Sequence, residues 1–207
     1  MNHFMATEKE DRKFDFARRL LGVRGIHGIA TRLGWRSLRA MAFDEKYRNG
    51  SWNFSSEDSD LVRLIETYAA KGNILALGCG TARVVGFLNP GSFESFVGVD
   101  LSPEAIAQAR QRESDRVRFE VGEMTKYQCC RLFDVILFPD SIYYVNARSR
   151  KNLLIRMRAS LSPAGRIVVT IAQPNRYADI LDMIRRNFKM DVDMVRPVNG
   201  GHLLAFS

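Results

Sequence analysis

Asp100 stands twenty residues after Gly80, and each closes an apolar run. Ile74-Leu75-Ala76-Leu77 leads into Gly78-Cys79-Gly80-Thr81, and Phe96-Val97-Gly98-Val99 leads into Asp100. The glycines allow a sharp turn and a close approach of backbone to ligand, with no Cβ in the way. A carboxylate ending the neighbouring strand is placed to accept hydrogen bonds from two ribose hydroxyls. A helix expected to open at Thr81 would aim free N–H groups at the same spot. These residues together describe a pocket for an adenosine-bearing cofactor.

A nicotinamide-binding turn reads G-x-G-x-x-G, its third glycine packing the helix against the strand. Here Arg83 occupies that third position. The rest of the chain offers a different set of landmarks in order. Phe96 to Ile106 carries a strand, an acid and the Ser102-Pro103-Glu104 helix start. Val117-Arg118-Phe119-Glu120-Val121-Gly122-Glu123-Met124 ends a third strand on an acid and an apolar residue. Phe133 to Phe138 is a fourth apolar run, followed by Pro139-Asp140-Ser141-Ile142-Tyr143-Tyr144. Leu161 to Val169 supplies a Ser-Pro-x-Gly turn and a fifth run.

These five segments, over residues 73 to 170, resemble the motifs of class I S-adenosylmethionine (SAM)-dependent methyltransferases. The resemblance implies a Rossmann-like, doubly wound α/β fold. Its seven-stranded sheet would be mostly parallel, with a C-terminal antiparallel hairpin and an N-terminal helical cap. It implies SAM as cofactor and S-adenosylhomocysteine (SAH) as product. The positions that match the cofactor motifs are Gly78, Cys79, Gly80, Asp100, Leu101, Glu123 and Met124. The family usually has an acid where Ala76 stands, helping to hold the methionine ammonium, and often a glycine where Ala82 stands. Those departures imply weaker binding or another group in that role. Tyr47, Gly50 and Trp52 are similar in spacing to an N-terminal aromatic element that closes the pocket in enzymes acting on sugars and lipo-oligosaccharides, the nodulation-type N-methyltransferases among them. Tyr47 and Trp52 are therefore expected over the cofactor, with a core anchor as the alternative for Trp52.

Elements that position these residues follow from periodicity. Strands are expected at 73–77, 95–99, 117–121, 133–138, 165–171, about 189–195 and 202–206, with helices opening near Thr81, Pro103, Arg148 and Asn175. Residues 1–60 read as a helical cap and 61–207 as the cofactor core, within one structural domain. Ser55-Ser56-Glu57-Asp58 reads as a helix cap with an acid in reach of the first turn, and Leu61, Leu64, Ile65 and Tyr68 share one side of the helix it opens. Asn199-Gly200-Gly201 signals a closing hairpin. Ligands of an open parallel sheet bind beyond its carboxyl edge. That edge receives Asp140, Tyr143 and Tyr144 after the fourth strand and His202 beside the hairpin turn. These four are the acceptor-side catalytic candidates. Each also has a structural reading: Asp140 as a turn cap, a tyrosine or His202 as packing.

No Asn/Asp-Pro-Pro-aromatic motif follows the fourth strand, which argues against methylation of exocyclic base amines. Cys129-Cys130 precede that strand, whereas cytosine C5 chemistry needs a cysteine after it. Three cysteines form no disulfide framework. No apolar run reaches membrane-spanning length, and a cytoplasmic location is expected. His3, His27 and His202 are scattered, so no metal site is expected. Of the formal net charge of +8, most lies between Lys9 and Arg48. This basic segment is suited to phosphate, on a carrier, a membrane surface or nucleic acid, or else is a solvated helix face. Methyl transfer to a hydroxyl or amine of a small-molecule or carbohydrate-like acceptor is the leading reading. An RNA methyltransferase using the basic segment, and a SAM-binding module without catalysis, are the alternatives.

Overall fold

The computed structural model of the chain describes residues 40–48, 58–197 and 200–207. Helix α1 spans 40–48 and α2 spans Ser59–Ala69. Strand β1 (Asn73–Leu77), β2 (Ser95–Asp100), α3 (Pro103–Ala109), β3 (Val117–Val121) and β4 (Phe133–Phe138) follow. Then come α4 (Ala147–Arg158), β5 (Leu161–Ile171), α5 (Ala178–Asn187), β6 (Met190–Val195) and β7 (His202–Phe206).

The seven strands form one sheet in the order β3-β2-β1-β4-β5-β7-β6. β1 runs parallel to β2 and β4, and β7 runs antiparallel to β5 and β6. The expected seven-stranded, mostly parallel sheet with its antiparallel hairpin is therefore present, while most of the helical cap expected over 1–60 lies outside the described residues. Strand periodicity builds its two cores, because successive side chains leave a strand on opposite faces. Leu75 and Leu77 of β1 join Leu153, Leu154 and Met157 of α4 and Ile180, Leu181 and Ile184 of α5. Ile74 and Ala76 join Leu61 and Ile65 of α2 and Ile106 and Ala109 of α3 on the other face. Every residue from Ile74 to Leu77 is fully buried, as a central parallel strand requires.

Side-chain caps open α2 and α3 where the sequence expects helices. Asp58 Oδ1 accepts the Leu61 N–H at 3.2 Å at the start of α2, and Ser102 Oγ accepts the Ala105 N–H at 3.0 Å at the start of α3. β5 starts at Leu161, earlier than expected, because Leu161 pairs with Phe133 before a register irregularity restores the ladder at Val135 and Arg166.

The helix expected at Thr81 is absent. Ala82 is left-handed (φ 53°, ψ 37°), and the following segment is a single 3₁₀ turn over Arg83–Gly86. Asn89-Pro90-Gly91 leaves no room to extend it, since a residue before proline is pushed out of the helical region. No row of helix N–H groups faces the ligand there. Among the described residues no helix is long and apolar enough to cross a membrane, and no group of three or more His, Cys, Asp or Glu is arranged to hold a metal.

Candidate active site

The order of strands reverses between β1 and β4, and in open α/β sheets ligands settle in the crevice at that point. The loops after these two strands touch directly. Ser141 Oγ donates to the Leu77 carbonyl at 2.6 Å, and a Cβ on Gly78 (φ +75°) would lie 2.9 Å from that oxygen. Above this contact opens a cavity of about 730 Å³.

One half of the cavity holds the motif residues. Gly78, Cys79, Gly80, Asp100, Leu101, Glu123 and Met124 all line it. Asp100 is buried; its Oδ2 accepts the Gly80 N–H and its Oδ1 the Ser102 N–H, each at 2.9 Å. Burial raises its pKa, while the N–H groups of Ser102, Gly80 and Leu101 oppose the rise. Burial and the neighbouring Asp100 likewise push the Cys79 thiol well up, leaving it an inert packing group.

Helix α1 lies over this half. Asp44 Oδ1 accepts the Ser102 hydroxyl and, at 3.1 Å, the Glu104 N–H, so it adds a carboxylate to the neutral Ser102 cap of α3. Three residues later the Tyr47 hydroxyl sits over Gly80: a Cβ there would come within 2.8 Å of it. Gly80 is thus the position where backbone must stay bare. Trp52 and the basic stretch before residue 40 lie outside the described residues.

Acceptor-side candidates divide. Asp140, Tyr143 and Tyr144 line the cavity; His202 does not. His202 pairs across the sheet with Ile171 and Val195, and its Nε2 lies 3.8 Å from Asp193 Oδ1. The hairpin turn does reach the cavity, but through Arg196 at its other end. Arg196 is buried, with Nε 2.6 Å from Asp58 Oδ2 and Nη1 3.3 Å from Asp140 Oδ2. The sequence places this turn at the rim but singles out His202 and misses Arg196, the charged side chain that opens it.

Asp140 adopts φ 48° and is fixed by its own N–H, which donates to Thr170 Oγ1 at 2.8 Å. Burial raises its pKa and the Arg196 guanidinium pulls it back. Beside it stands an aromatic wall. Tyr143 stacks on Tyr177 (4.4 Å, 2° between planes), and Phe43 meets Tyr144 edge-on at 5.3 Å. Burial, with the Asp140 charge adding to it, pushes the Tyr143 hydroxyl far up, and burial takes Tyr144 up to about 12. Both phenols therefore stay protonated at neutral pH. Ala76 is fully buried in the core beneath α2 and α3 and does not line the cavity.

This cradle fits SAM: bare backbone at Gly78 and Gly80, a buried carboxylate facing them from β2, and an aromatic roof from α1. Comparison with known proteins points the same way. A family described as "Methyltransferase domain" matches residues 74–165. Nodulation protein S of Sinorhizobium fredii (strain NBRC 101917 / NGR234) is 26% identical over 155 residues, covering 70% of this chain and 71% of its own length. The crystal structure of the N-methyltransferase NodS from Bradyrhizobium japonicum WM9 matches 72% of this chain and 92% of its own, with TM-score 0.62 and 21% identity. The same enzyme has been crystallised with SAH. A TehB-like SAM-dependent methyltransferase from Corynebacterium glutamicum ATCC 13032 matches 82% of this chain and 97% of its own, with TM-score 0.62 and 21% identity. The domain matched over residues 74–165 and the sheet shared with these chains support a class I SAM-dependent methyltransferase.

Proposed function

We propose that the chain transfers the SAM methyl group to an amine nitrogen of a small-molecule or carbohydrate-like acceptor. The observation that carries this reading is the charge on the acceptor side of the cavity. Asp58 and Asp140 face a single guanidinium, Arg196, so the cluster is formally one charge negative. Phe43, Tyr143 and Tyr144 line the same side, and the face of an aromatic ring attracts a cation. An ammonium group suits that wall better than a phosphate does. The N-methyltransferase name of NodS agrees with the reading.

SAM supplies a methyl carbon on a sulfonium, whose C–S electron pair leaves with sulfur as the acceptor lone pair forms the new N–C bond. The protein's own part is to hold, orient and deprotonate. Asp140 takes a proton from the acceptor ammonium, becomes a neutral acid, and returns the proton to solvent after transfer. A carboxylate with a raised pKa is better matched to that exchange than an ordinary one. Tyr143 and Tyr144, held protonated, orient the acceptor by hydrogen bonds and do not act as bases. Positioning two reactants in contact accounts for much of the rate in such displacements.

The test offers methyl-labelled SAM and purified protein to amine-bearing saccharides, small amines and RNA in separate reactions. Label in an amine fraction, lost when its amines are first acetylated, supports the reading. Label that survives acetylation would assign a hydroxyl acceptor, and label in RNA would overturn the reading.

A further inference from the structure

Three segments far apart in the chain meet at Arg196. Its Nε is bonded to Asp58, 138 residues away, and its Nη1 to Asp140, 56 residues away. Each end of this bridge is itself fixed. Asp58 uses its other oxygen to cap α2 through the Leu61 N–H. The Arg196 backbone closes the hairpin, its N–H donating to the Gly201 carbonyl at 2.7 Å and its carbonyl accepting the Gly200 N–H at 3.0 Å. Asp140 is pinned from β5 by Thr170 Oγ1. A buried ion pair adds little net stability on its own, because desolvation offsets the attraction. Stability is therefore a weak reason to bury this guanidinium beside the cavity.

We propose that Arg196 is a positioning residue for methyl transfer: anchored by Asp58, it orients the Asp140 carboxylate and holds it ionised beside the acceptor nitrogen. This rests on the reading of Asp140 as proton acceptor. The groups facing Asp140 are Arg196 from the hairpin with Asp58 behind it, Thr170 from β5, the Ala172 N–H, and Tyr143 and Tyr144 from its own loop. Arg196 is the cation of this set. Without it, burial dominates and Asp140 holds its proton to higher pH. An aspartic acid that stays protonated has no carboxylate with which to take the acceptor's proton.

The test follows the Asp140 side-chain carboxyl by carbon-13 NMR titration of the full chain with SAH bound, assigned by the signal lost in Asp140→Asn. Arg196→Gln is expected to raise the midpoint by about one pH unit or more. Arg196→Lys keeps the charge and is expected to restore most of the wild-type value. Arg196→Gln leaves Asp58 buried without its partner, so Asp58→Asn/Arg196→Gln is made alongside it. That pair keeps the helix cap, since Asn also caps well, and its midpoint is expected above wild type by a smaller step. SAH binding by calorimetry reports that each variant is folded. A midpoint unmoved in both Arg196→Gln variants would overturn the role of Arg196, whatever the acceptor. Label absent from every amine fraction would instead overturn the proposed function, with the midpoint shift still standing.

Discussion

Gly80 is the sharpest place to challenge the arrangement of the cofactor half, because two distinct penalties act there. Its φ of +55° lies in the left-handed region, where a side chain costs about 1–2 kcal/mol. A Cβ would also lie 2.8 Å from the Tyr47 hydroxyl oxygen, while the ring atoms Cε1 and Cζ stay at an ordinary 3.4 Å. Tyr47→Phe removes the one crowded atom and leaves the backbone cost untouched. Stability by urea unfolding and SAH affinity by calorimetry are measured for Gly80→Ala, Tyr47→Phe and the pair. Gly80→Ala is expected to lose more than the backbone cost alone, and the pair to recover a coupling of about 1 kcal/mol. Effects that add within about 0.5 kcal/mol would refute the packing of Tyr47 over Gly80, and with it the place of α1 as the roof of the cavity.

Asp100→Asn leaves one fewer acceptor for the Gly80 and Ser102 N–H groups and removes a charge from the cavity wall. SAH binding is expected to weaken at least about tenfold, since hydrogen bonds to charged groups carry roughly 1.5–3 kcal/mol. The pKa of Asp100 is raised above its ordinary 3.8, mainly by burial. Its contribution to the stability of the ligand-free protein is therefore full below that value and lost as pH rises through the raised one. SAH affinity should run the other way and begin to fall on acidification while ordinary aspartates are still ionised. Affinity flat down to 3.8 would contradict this. Asp44→Ala removes the acceptor of the Ser102 hydroxyl and the Glu104 N–H, and is expected to cost about 1 kcal/mol in thermal or urea unfolding and to loosen α1. His202→Ala leaves the cavity lining intact, so SAH affinity should stay within about twofold, while stability falls by about 1 kcal/mol. A large loss of affinity would return His202 to the site.

Much of this protein is legible along the chain, because the relevant forces act over a few residues. Alternation through Ile74–Leu77 sets two buried faces, bare glycines set the turn at Gly78 and Gly80, and Asn-Gly-Gly signals the hairpin that joins β6 and β7. Motif order then places Asp100, Glu123 and Asp140 at one edge of the sheet, and all three line the cavity. At Thr81 local pattern fails: Ala82, a good helix former, is held left-handed, and a single 3₁₀ turn stands where a helix is expected. What no local rule supplies is the company each charge keeps. Asp58 reads as part of a helix-cap stretch, and Arg196 as one more basic residue in a chain of formal charge +8. Burying either alone would be prohibitive, and their pairing depends on α2, the β4 loop and the hairpin meeting at one point. That meeting is set by the sheet order, in which β7 inserts between β5 and β6 and carries the turn to the cavity. The same placement brings Arg196 to the site and leaves His202 outside it, although both flank one turn.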